Sequence, residues 1–175
     1  MTEHQPYDVL REDPGFELRR YPDHVVAETR VTGSFEGAGN ISFRRLVGYI
    51  GGRNTGSLKV AMTAPVVQEA DEETAGRFVV GFVMPAGFDL DSAPDPTDPD
   101  VRLRAVPAQT AAALRFSGRW TRDRYDEHAR RLRAALDAAG LEVAGPPRFA
   151  RYDPPWTPWF LRRNEVVVPV VDPLD

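Results

Sequence analysis

The 175-residue chain contains no cysteine. That absence excludes disulfides, thiolate-held structural zinc, thiol nucleophiles and cysteine-ligated haem. Histidine is scarce, with only His4, His24 and His128, so a paired-histidine haem or metal site is not expected. No apolar run approaches the length of a membrane span. The opening Met-Thr-Glu-His-Gln-Pro has neither the basic start nor the apolar core of a signal peptide. A cytoplasmic location is therefore expected, with no membrane partner. Basic tracts are missing too. The 22 basic residues face 26 acidic ones, for a net charge of −4, which argues against nucleic acid as a partner. Lysine is nearly absent, Lys59 being the one example, a bias that reads as codon composition. Catalytic signatures are also lacking: there is no phosphate loop, zinc motif, dinucleotide fingerprint or Ser/His/Asp order.

What is present suits one compact α+β domain over residues 7–170. Phe16–Tyr21 and Val25–Val31 alternate as strands do. Phe43, Leu46, Val47 and Ile50 fall at i, i+3, i+4 and i+7, which predicts a helix from about Gly37 to Ile50, capped by Ser34. Phe78–Met84 is the most strand-like run. Residues 87–100 form an acidic, proline-rich connector whose spacing does not match a calcium loop. Val101–Ala105 and Gln109–Phe116 read as strands. Thr121 caps a second helix over about Arg122–Ala139, with Tyr125, Ala129, Leu132 and Leu136 on its apolar stripe. Residues 1–6 read as a frayed end.

The two halves correspond. Ala27-Glu-Thr-Arg-Val-Thr-Gly-Ser-Phe35 matches Ala112-Ala-Leu-Arg-Phe-Ser-Gly-Arg-Trp120. In each, a strand ends in Thr/Ser-Gly-x-aromatic and a helix follows at once. Each half then has a proline-containing apolar segment, Ala61–Pro65 or Arg151–Pro155, and a closing strand that ends in proline. The expected fold is a duplicated β-α-β-β unit, a pseudo-two-fold antiparallel sheet curling towards a distorted barrel and flanked by two helices.

Four stretches resemble the SOUL/haem-binding protein family: Tyr7–Tyr21, Lys59-Val-Ala-Met-Thr-Ala-Pro-Val66, Val83-Met-Pro85, and Arg151-Tyr-Asp-Pro-Pro-Trp followed by Trp159-Phe-Leu-Arg-Arg-Asn-Glu-Val166. The resemblance implies the unit of bacterial effector-binding domains. It implies a soluble carrier or buffer for haem or another tetrapyrrole, held in an apolar groove without a strong axial histidine.

By resemblance, that groove draws Phe43, Leu46, Val47 and Ile50 from the first helix and Met62 from the Ala-Met-Thr-Ala-Pro segment. It takes Trp156, Trp159 and Phe160 from the late loop. Arg53, Lys59, Arg162 and Arg163 are candidate partners of the haem propionates. For any one of the apolar residues, plain core packing is the competing assignment. Glu165 is expected to point inward and to need a cation, either Arg162 or Arg163 or a cationic ligand. A domain binding a cationic or apolar effector is the alternative function. An enzyme acting on tetrapyrroles or another reactive small molecule, with Glu165 and Tyr152 as acid and base, is a weaker one.

Overall fold

Residues 2–174 are described by the computed structural model. In chain order they form β1 (Glu3–His4), β2 (Asp8–Asp13), β3 (Phe16–Tyr21), β4 (His24–Thr32), α1 (Phe35–Ile50), β5 (Thr63–Ala64) and β6 (Val66–Ala70). Then come β7 (Arg77–Val83), β8 (Val101–Val106), β9 (Gln109–Phe116), α2 (Arg122–Ala138), β10 (Arg148–Arg151) and β11 (Asn164–Pro169). The chain divides into two units. One comprises Asp23–Pro107 with the N-terminal residues through Gln5. The other comprises Pro6–Pro22 with the chain from Ala108 onward.

In the first unit the strand order is β6-β7-β4-β8, antiparallel throughout. In the second it is β2-β3-β9-β11-β10, also antiparallel. The repeat is visible in these orders. β4 pairs with β7 and β7 with β6; β9 pairs with β11 and β11 with β10. α1 packs on β4 and β7, and α2 on β9 and β11. Each helix starts after an equivalent glycine in the positive-φ region, Gly33 at 150° and Gly118 at 140°, which residues with a Cβ rarely adopt. The architecture is α+β, as expected. The sheet is open: among the described residues β2 pairs only with β3, and β8 only with β4.

Ser34 and Thr121 cap the two helices, each accepting a backbone N–H with its hydroxyl. The inner face of α1 differs from the expected stripe. The buried residues are Phe35, Ala38, Gly39, Ser42, Leu46 and Tyr49, which follow the 3.6-residue period. Phe43 and Val47 lie on a shoulder of that stripe and stay exposed. Small residues at 38, 39 and 42 let the helix sit close to β4 and β7, and that closeness sets its rotation. Residues 3–5 are ordered rather than frayed. β1 pairs in parallel with β5, and Gln5 is buried with its N–H donated to the Ala64 carbonyl at 2.8 Å.

Candidate functional site

In the first unit, the segment before β5 is pinned beside the end of α1. The Val60 N–H donates to the Ile50 carbonyl at 2.8 Å, and the Thr63 hydroxyl donates to the Val83 carbonyl at the end of β7. Phe43 reaches the same end of β7, its ring edge-on to Phe82 at 6.1 Å. Phe43 and Met62 are each 40% exposed, and Val47 is comparably open. Leu46 is different. It is fully buried in the core cluster with Val25, Ala27, Tyr49, Val80 and Phe82, and Ile50 packs against that cluster. Leu46 therefore serves the core and has no exposed face. Lys59 and Arg53 are exposed and take part in no ion pair among the described residues. The Arg53 side chain lies along Gly48, where an added Cβ would meet its Cδ at 3.1 Å. Gly48 is about 100° round the helix from Val47.

In the second unit, the late loop is held by its own backbone. Arg162 donates from Nε to the Thr157 carbonyl at 2.8 Å and from Nη2 to the Pro155 carbonyl at 2.7 Å. Its guanidinium lies over the Trp120 ring, 4.1 Å from the centroid. The Trp120 N–H donates to Asn164 Oδ1 at 2.7 Å, and the Asn164 amide donates to the Gly118 carbonyl at 3.0 Å. Arg162 is thus a structural clamp and does not meet Glu165. Trp156, Trp159 and Phe160, expected in a pocket wall, are all exposed within this unit.

Glu165 is fully buried on β11, as the sequence suggested. Its Oε2 accepts from Arg19 Nη1 at 2.8 Å and from the Tyr152 hydroxyl at 3.1 Å. Its Oε1 accepts from Arg19 Nη2 at 3.0 Å and from Arg163 Nη2 at 2.8 Å. Arg163 fulfils the sequence reading, whereas Arg19 was not anticipated. The missed signal is the period of β3, where Arg19 shares a face with Tyr21 and the exposed Arg20 does not. Tyr21 and Tyr7 complete the cluster. The Tyr21 hydroxyl accepts from Arg19 at 3.0 Å, and Arg163 donates to the Tyr7 hydroxyl at 3.1 Å. The Arg19 guanidinium also stacks over the Tyr7 ring at 4.0 Å.

Burial pushes the Glu165 carboxyl up, but hydrogen bonds and charge from Arg19 and Arg163 outweigh it and hold the group below the ordinary carboxylate value. Burial, reinforced by the Glu165 charge, pushes the Tyr152 hydroxyl well up. Glu165 and Tyr152 do meet, as an ionised acceptor and a protonated donor. Neither is poised to exchange a proton near neutral pH. The carboxylate is also fully engaged by its three partners, which leaves no free acceptor for a cationic ligand.

His128 is buried in α2, stacked on Phe116 at 3.8 Å, with Nδ1 2.6 Å from the Arg124 carbonyl. His24 pairs with Gln5 at 3.2 Å, and His4 lies in β1. None of them belongs to α1. Among the described residues, no group of three or more His, Cys, Asp or Glu side chains could hold a metal.

The model of the SOUL heme-binding protein family matches residues 2–169. The chain belongs to that family. A relative from Xenopus tropicalis, Heme-binding protein 1, is 32% identical over 156 residues, covering 86% of this chain and 81% of its own. The Heme-binding protein 1 of Mus musculus is 29% identical, covering 92% of this chain and 89% of its own. Among solved structures, this SOUL-family chain is similar to the EcmrR C-terminal domain, with a TM-score of 0.66 and 17% identity. That likeness covers 94% of this chain and 98% of the other, and it shows a shared fold. Among the described residues, no helix is long and apolar enough to cross a membrane.

Proposed function

We propose that the chain is a haem-binding carrier or buffer, and that haem rests on the exposed shoulder of α1 without histidine ligation. The observation that supports this reading is the set Phe43, Val47 and Met62. These large apolar side chains are left in water beside a well-filled core. Exposed apolar surface of this kind suits a macrocycle, and the polarisable Met62 thioether adapts to it. Ile50 backs the shoulder from the core side. Lys59 and Arg53 are exposed cations of the same unit that would meet the propionates. Bound haem would bring its own redox-active iron; the residues named here would grip the ring edge and shield it from water. A carrier is favoured over an enzyme because the acid–hydroxyl pair considered for catalysis, Glu165 with Tyr152, is locked in a structural cluster.

Titration of the purified protein with hemin, read by the Soret band, tests this. Saturation at stoichiometric hemin is expected. Phe43→Asp and Met62→Asp should each weaken binding by at least about tenfold, about 1.4 kcal/mol. Lys59→Glu should weaken binding less. Non-saturating uptake, or unchanged affinity in both aspartate variants, would overturn the proposal.

A further inference from the structure

We propose that the late loop is a membrane-surface anchor, a rigid aromatic tip that docks on anionic lipid. Trp156 is 84% exposed, and Trp159, Phe160 and Leu161 are exposed beside it. This is a contiguous apolar stretch, and such patches mark interaction surfaces. It is not a floppy segment. Pro154, Pro155 and Pro158 stiffen it, the Thr157 N–H donates to Pro154 O and the Leu161 N–H to Pro158 O. Arg162 ties down two of its carbonyls. Trp159 and Phe160 brace each other edge-on at 5.5 Å. The apolar side chains are therefore presented outward by a built frame, so little ordering remains to be done on docking.

The charge around the tip selects the occupant. Arg119 lies over the Trp159 ring, 5.2 Å from the centroid, and Trp120 is held against Arg162. On the stretches 117–124 and 151–163, Arg119, Arg124 and Arg162 take part in no ion pair among the described residues, whereas Arg163 is held by Glu165 and Arg122 pairs with Asp126. In a chain of net charge −4, this is a local cationic collar around an aromatic tip. Tryptophan suits the headgroup region because its ring is apolar and its N–H finds a polar partner there. Arginine pairs with lipid phosphate and carboxylate. Docking on a surface needs no spanning segment, so the lack of an apolar run in the sequence does not oppose it. The proposal does not depend on the haem reading, which uses residues of the other unit.

The test is co-sedimentation of the full chain with phosphatidylcholine vesicles, with and without phosphatidylserine, together with tryptophan emission. Binding to the anionic vesicles with a blue shift is expected, weakened by raised salt. Trp156→Ala combined with Phe160→Ala should reduce binding by at least about tenfold while hemin titration is unchanged. Arg119→Glu, an exposed charge reversal, should weaken it while leaving the apolar side chains of the tip in place. No binding to anionic vesicles would overturn the proposal. So would equal binding to neutral vesicles, or binding unaffected by these variants. Concentration-dependent self-association lost in the Trp156/Phe160 variant, with no vesicle binding, would assign the tip to a second copy of the chain instead.

Discussion

At Glu165, five hydrogen bonds from two arginines and one tyrosine converge on a fully buried carboxylate. Arg19→Met removes the bidentate partner and leaves the charge to Arg163 alone. Losing one member of a buried pair costs about 3–5 kcal/mol, so a large drop in the chemical-denaturation midpoint is expected. The folded carboxyl is held below its ordinary value of 4.5. Its contribution is therefore present above pH 4.5 and is lost as pH falls through the lower folded value. Glu165→Gln should flatten the stability profile on the acid side of 4.5; an unchanged acid limb would show that other groups govern it. Leu46 and Phe43 make a second residue-scale contrast. Leu46→Ala should destabilise by about 2–5 kcal/mol. Phe43→Asp should act mainly on hemin affinity, because that ring is partly in water.

Both helices begin where a hydroxyl takes an otherwise unpaired backbone N–H. Ser34 Oγ accepts from Gly37 at 3.0 Å. Ser34→Ala should cost about 1 kcal/mol and lower the melting temperature by about 2–4 °C. The late loop depends on another joint. Trp120→Phe keeps the ring stack with Arg162 but removes the donor to Asn164 Oδ1, which is fully buried. A buried acceptor without its partner costs about 1–3 kcal/mol. The caps were legible because Ser34 and Thr121 stand directly before periodic runs. The rotation of α1 was not. Its apolar residues outnumber the positions that one stripe can bury, and only the small residues Ala38, Gly39 and Ser42 select the stripe that meets the sheet.

Across the whole molecule the repeat is complete in strand order, yet each unit borrows one extra neighbour from a different place. β8 follows the first unit's closing strand and covers β4, while β3, with β2 on its outer side, comes before both copies of the repeat and covers β9. β3 also carries Arg19 to Glu165. Residues 108–175 expressed without residues 6–22 would thus expose the edge of β9 and leave Glu165 short of a counter-charge. Circular dichroism and amide dispersion should report an unfolded or molten piece, and restoring residues 6–22 as a separate peptide should recover order. A well-folded isolated piece would show that the ion cluster is dispensable.

The sequence by itself determined the two helices and the order of the main strands, the duplication, the family and the inward turn of Glu165. These follow from local periodicity, capping residues and strings such as Trp159-Phe-Leu-Arg-Arg-Asn-Glu-Val166, which are properties of neighbours along the chain. Tertiary structure alone decided that Arg19, 146 residues away, shares Glu165 with Arg163, that Leu46 is core while Phe43 is open, and that the late-loop aromatics stand in water. Burial is fixed by which surfaces meet in space, and pairing between distant strands leaves no mark in local spacing.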